Sequence, residues 1–178
     1  YYDKEHPYLS EKQVKELLTT SLDYCAAEKD LRGYLYGKGW AHSCAHTADM
    51  LAALAANRHI GVDDLMQILN AILDKLATIT KYMYVHGEDE RLTEVILSTL
   101  KRELLPLEQW QAWINRFEQS VIDKNKDAGF NMGVYGAKRN TKNFLRSVYL
   151  QLEMSQDPLP LSDQLKPLLL ETLKKFPY

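Results

Sequence analysis

The sequence predicts an all-α fold of stacked antiparallel helix hairpins, arranged as a HEAT-like α-solenoid. Three observations point there. Apolar residues recur at i, i+3, i+4 and i+7 through most of the 178 residues. Glycines and prolines punctuate these runs and leave mostly short connections. No stretch alternates polar and apolar residues between turn signals, so no strand competes. Helices that each carry one apolar face must bury those faces on one another. No strict sequence period accompanies them, so the solenoid expectation rests on the succession of helices.

Ser10 and Gln13 form a capping-box start, and Val14, Leu17, Leu18, Leu22 and Cys25 then mark a first helix from about Glu11 to Glu28. Gly33, Gly37 and Gly39 interrupt the pattern, and Ala41, Cys44, Ala45, Ala48, Leu51, Ala52 and Ala55 line a second helix. Its alanine stripe suits close helix approach. After Gly61, Asp63 or Asp64 can cap a third helix carrying Leu65, Ile68, Leu69, Ile72, Leu73 and Leu76, expected to pair with the second as an antiparallel hairpin. His86-Gly87 is the next break, and the acidic run Glu88, Asp89, Glu90 sits at the positive end of a fourth helix with Leu92, Val95, Ile96 and Leu100.

Pro106 suits the first turn of a fifth helix, whose stripe is Leu107, Trp110, Trp113, Ile114, Phe117 and Val121, and these two helices are expected to form a second hairpin. Lys124 to Gly136 reads as a long loop. A sixth helix is expected from about Asn140 to Met154, with Phe144, Leu145, Val148, Tyr149 and Leu152 on one face. Pro158 and Pro160 end it. Leu165, Leu168, Leu169 and Leu173 outline a last helix that Pro167 pushes to start at Asp163 or later.

A chain of this size buries enough surface to fold without a metal or a disulfide, and one domain over 1–178 is expected. A net charge of −2 supplies no basic field for nucleic acid or an anionic membrane. No apolar run is long enough to span a bilayer, and no export signal is visible at the start. Cys25 and Cys44, each inside a helical apolar pattern, fit reduced thiols in a cytoplasmic setting.

The unusual chemistry lies in Glu28–Leu51. His42, His46 and Asp49 are spaced i, i+4, i+7, which on a continuous helix puts them on one face as candidate ligands for a divalent metal. The zinc-protease motif is excluded because Ser43 stands where its glutamate would be. The glycines do not have P-loop spacing, which leaves only anion binding by Lys38 and the turn amides. Arg32 is a candidate bridge to Asp49 or to the acidic run through a bidentate contact. Tyr34, Tyr36 and Trp40 are expected to be lids over the hairpin junction, with walls of a ligand pocket as the alternative; if the Trp40 indole lies in the core, its removal costs about 3–5 kcal/mol. No Ser-His-Asp or Cys-His arrangement can be assigned, and no cofactor is expected.

The stretch EKDLRGYLYGKGWAHSCAHTADML, with EDERL at 88–92 and NTKNFLRSVYLQL from Asn140, resembles an uncharacterised bacterial family known only as a domain of unknown function. The resemblance covers the whole chain and centres on GWAHxxAHxAD. It implies stacked helix pairs similar to HEAT repeats, an additional N-terminal helical region preceding this chain, and a signature at Glu28, Asp30, Arg32, Gly33, Gly39, Trp40, His42, His46, Asp49, Glu88, Asp89 and Arg91. It implies no activity. The expected function is a protein- or peptide-binding scaffold. The alternative is a small-molecule or metal-dependent enzyme using His42, His46 and Asp49.

Overall fold

The computed structural model describes residues 8–123, 127 and 129–176. Among these, seven α-helices and one two-stranded β-hairpin alternate with short connections. They are α1 (Glu11–Ala27), β1 (Tyr34–Leu35), β2 (Gly39–Trp40), α2 (Ser43–Ala55), α3 (Val62–Leu76), α4 (Glu88–Leu100), α5 (Leu107–Phe117), α6 (Met132–Met154) and α7 (Ser162–Lys174). The all-α expectation holds apart from the short β-hairpin, which the glycine-rich stretch makes possible. Gly37 and Gly39 adopt φ of +74° and +91°, backbone that side chains disfavour, and their turn pairs Tyr34 with Trp40 and Leu35 with Gly39.

Helix α1 begins as the capping box requires, with Gln13 N donating to Ser10 Oγ and Ser10 N to Gln13 Oε1. Helix α3 is the central rod. Its residues Leu65, Ile68, Leu69, Ile72 and Leu73 are fully buried, so the 3.6-residue stripe read in the sequence is the stripe the core uses. Around it collect Val95 and Ile96 of α4, Trp110, Trp113 and Phe117 of α5, and Phe144 and Leu145 of α6. The Trp113 indole N–H donates to Leu69 O at 2.9 Å, so a large apolar ring enters the core with its one polar atom satisfied.

The principal lateral neighbour of α2 is α4 rather than α3, and α4 packs in turn on α6. Helix α1 lies against α2 and α3, and α7 against α5 and α6. Helices α2 and α3 meet sparsely, as do α4 and α5, so the expected α2–α3 and α4–α5 hairpins are not the main packing units. Ala45, Ala48 and Ala55 are almost wholly buried, and their short side chains let α2 lie close along α4.

Two helix boundaries also differ. Helix α5 continues into a single π-helical turn, Glu118–Ile122. Helix α6 begins at Met132, not near Asn140, so the last five residues of the Lys124–Gly136 stretch read as loop are helical; residues 124–126 and 128 lie outside the described residues. Asn131 caps this start by accepting from Gly133 N and Val134 N. Gly133 and Gly136 look like helix breakers but serve a different purpose. A Cβ on Gly136 would overlap the Thr80 carbonyl oxygen, and one on Gly133 would press into Ile79. Bare helix backbone admits the segment that joins α3 to α4. Pro167 is accommodated inside α7, which starts at Ser162.

That joining segment, residues 77–87, is clamped by Asn140. Its Oδ1 accepts from Tyr84 N at 2.8 Å and its Nδ2 donates to Tyr82 O at 3.0 Å, with the residue 1% exposed. Asn140→Ala would leave one buried and one partly buried backbone group unpaired and is expected to cost about 2–6 kcal/mol, at ~1–3 kcal/mol per orphaned group. Urea denaturation measures this; an unchanged midpoint would mean that water replaces both bonds.

Candidate functional site at the junction of the β-hairpin and α4

The junction is built outward from the end of α1. Glu28 N donates to Tyr24 O to close the helix, and the Glu28 side chain accepts from Asp30 N at 2.7 Å and from the Tyr24 hydroxyl at 3.1 Å. The first of these bonds is the main reason its carboxyl lies below the ordinary value. Lys75, mostly buried on α3, donates to Glu28 O at 2.9 Å and fixes the chain as it leaves α1.

Arg32 does not bridge to Asp49 or to the acidic run. It folds back on Asp30, with Nε to Oδ1 at 2.8 Å and Nη2 to Oδ2 at 2.7 Å, because a two-residue separation already places the fork opposite the carboxylate. The Arg32 side chain, followed by its backbone N–H, holds the Asp30 carboxyl at about 2. The partner of Asp49 is Arg91, whose Nη1 lies 2.7 and 2.5 Å from the two carboxylate oxygens and ties α2 to α4. The lateral packing of α2 on α4 brings these two together, a pairing invisible in linear spacing.

His42 is not on the helical face of His46 and Asp49. It is the residue before α2 and takes φ +46° and ψ +30°, a left-handed conformation unusual for a side-chain-bearing residue. That twist turns its ring toward α4, where Nε2 lies 3.0 Å from His86 O and 3.6 Å from Glu88 Oε1. His46 stays largely exposed, its ring centroid 5.8 Å from that of His42 and its Nδ1 4.0 Å from Asp49 Oδ2. With Asp49 held by Arg91 and His42 donating to a carbonyl, the three candidate ligands do not converge. Among the described residues no group of three or more His, Cys, Asp and Glu has a metal-holding arrangement.

What does converge is a set that spacing did not single out. Glu88, the first residue of α4, has no solvent exposure. Its Oε2 accepts from His86 N at 2.8 Å, while Oε1 has no hydrogen-bond partner and sits 3.9 Å from His86 Nδ1. Gly33 N donates to the Tyr82 hydroxyl at 2.6 Å, and that hydroxyl is 3.1 Å from His86 Nδ1. One of these contacts has a fixed direction. A carbonyl only accepts, so His42 carries a proton on Nε2; the Tyr82 hydroxyl, already accepting from Gly33 N, has both a proton and a second lone pair to offer His86 Nδ1. Gly33 is required here for space. A Cβ would stand 2.5 Å from His86 Nδ1 and 2.7 Å from Glu88 Oε1.

Trp40 covers this cluster without being buried. It is 60% exposed, stacks on His42 at 4.7 Å and 28°, and meets Tyr34 and His86 edge-on at 5.1 and 5.6 Å. The condition of a core indole is therefore not met at Trp40, whereas Trp110 and Trp113 of α5 are each 2% exposed. Tyr34 is 46% exposed, and Tyr36, at the tip of the β-hairpin, is 98% exposed. Asp89 faces α6, its Oδ2 accepting from Ser147 Oγ at 2.7 Å. The site thus unites Trp40, His42 and Glu88 of the predicted residues, and places Asp30–Arg32 and Asp49–Arg91 as separate ion pairs. Sequence spacing marks His86 only as part of a break before α4 and gives Tyr82 no role; a histidine two residues before a helix-initiating glutamate is the trace that could have pointed to the site.

A family model described as Protein of unknown function (DUF2785) matches residues 1–150. No curated protein and no solved structure matches the chain.

Two measurements check this geometry. Trp40→Ala is expected to cost less than about 1 kcal/mol, as for an exposed surface position. Trp113→Ala, which empties a buried site, should cost about 3–5 kcal/mol; equal urea midpoints for the two variants would contradict the burial assigned here. In NMR titration the Asp30 carboxyl should protonate near 2 and return toward the ordinary ~3.9 in Arg32→Gln. Because the folded value is depressed, the contribution of the pair is complete above about pH 4 and is lost as pH falls toward 2. A wild-type midpoint near 3.9 would show the pair open in solution.

Proposed function

The chain belongs to the family described as Protein of unknown function (DUF2785), and we propose that it is a scaffold that binds a protein or peptide through the exposed aromatic face of its β-hairpin. The observation that carries this reading is the exposure of three aromatics on one hydrogen-bonded turn, Tyr34 and Trp40 in edge contact across the pair and Tyr36 at its tip. Tyr and Trp are the side chains that most often anchor interfaces, since they bury large area at low entropic cost. Asp30–Arg32 and Asp49–Arg91 supply the charged rim such a face needs for orientation.

The helix arrangement supports a solenoid-type scaffold. Helices α2, α4 and α6 pack in one series and α1, α3, α5 and α7 largely in a second, with consecutive helices passing between them. Such alternation is what stacked helix pairs produce. A reducing, cytoplasmic setting goes with two free, buried thiols, and no helix among the described residues is long and apolar enough to cross a membrane.

Photo-cross-linking in the source cells tests the proposal. A benzophenone side chain at position 36 should give a discrete adduct that the same residue at position 150, exposed on α6, does not give, and Trp40→Ala should reduce the yield at least about tenfold, the scale of a hot-spot truncation. Equal adducts at both positions, or an adduct indifferent to Trp40→Ala, would overturn the reading.

A further inference from the structure

The contacts made by His42 carry a consequence independent of whatever binds the β-hairpin. Its ring lies between two groups that attract positive charge. On one side is the Trp40 π-face, 4.7 Å away at 28°. On the other is Glu88, a carboxylate with no solvent exposure, whose Oε1 lacks any partner and lies 3.6 Å from His42 Nε2. The first group belongs to the β-hairpin and the second to α4, so His42 is the hinge between them.

We propose that Trp40, His42 and Glu88 form a proton-operated latch, in which protonation of His42 places an imidazolium between ring and carboxylate and fastens the β-hairpin to α4. The tautomer makes the proton's destination definite. Nε2 already carries hydrogen and donates to His86 O, so the added proton goes to Nδ1 and the resulting charge strengthens Nε2–H toward both His86 O and Glu88 Oε1. No bond other than N–H forms, and no co-reactant is needed.

The surrounding charges permit this. From the β-hairpin, Asp30 and Arg32 neutralise one another. From α2, His46 lies next to His42 but is exposed and beside Asp49, which is held by Arg91 of α4. From the α3–α4 segment, His86 is 3.9 Å from the same Glu88 oxygen and is engaged by Tyr82, so it competes with His42 for the carboxylate. Closing the latch changes the hold on the backbone bonds Ala41 N to Gly33 O and His42 N to Arg32 O, which extend the β-hairpin ladder.

Amide hydrogen exchange at Ala41 and His42 tests the latch. After correction for intrinsic exchange, protection of these two amides should rise about two- to fivefold between pH 7.5 and pH 5.5, the scale of one cation–π contact with a partly shielded ion pair. Glu88→Gln and His42→Gln should each abolish the rise, and Trp40→Ala should reduce it. His46→Gln should leave it intact. If Glu88→Gln does not fold, His42→Gln decides, since glutamine keeps an N–H donor for His86 O but cannot take the proton. Flat protection in the wild type, or a rise that survives His42→Gln, would overturn the proposal.

Discussion

The structure depends on how closely the backbone between α3 and α4 is gripped from both sides. This segment runs beneath the β-hairpin and over the first turns of α6. Side chains would hold those three layers apart, and glycines remove them where contact occurs. Gly33 lets the β-hairpin backbone descend onto His86 and Glu88, while Gly133 and Gly136 let Ile79 and Thr80 settle against the α6 backbone. Asn140 then supplies the two hydrogen bonds that a strand neighbour would otherwise give residues 82–84. A segment without regular structure thereby has the N–H groups of Thr80, Tyr82, Tyr84 and His86 all paired, which is the condition for packing its inward-facing residues against the core.

That grip explains the burial of Glu88. Removing a carboxylate from water costs several kcal/mol, and only specific compensation allows it. The positive end of α4 contributes, as does the His86 N–H, and both are placed by the same descent of the chain at Gly33. Compensation stops at one oxygen. The unpartnered Oε1 faces two imidazoles, so the charge that holds the junction together is also the one that makes it responsive.

Where the sequence was legible, one local rule was sufficient. The capping box at Ser10, the stripe of α3 and the stripe of α5 each rest on residues three or four apart within one continuous segment, and each is realised. Where a distant segment supplied the reason, the local rule misled. Gly133 and Gly136 fall in the stretch whose composition reads as loop, because nothing nearby announces Thr80. The i, i+4, i+7 spacing of His42, His46 and Asp49 assumed a helix that begins one residue too late to include His42. Arg91, not Arg32, pairs with Asp49 because α2 lies along α4, which only the alanine stripe hinted at.

The placement of the tryptophans shows why composition cannot separate core from surface. Trp110 and Trp113 sit on a helix whose repeat aims them inward, and Trp113 finds a carbonyl for its N–H at Leu69. Trp40 follows a glycine with φ of +91° at the edge of a two-residue strand, where no periodic apolar face exists to draw it in. Its neighbours are then aromatic and imidazole rings rather than leucines. A large indole is thus left outside, above a buried carboxyl group and beside two histidines, because its strand offers it rings to stack on and no apolar face to enter.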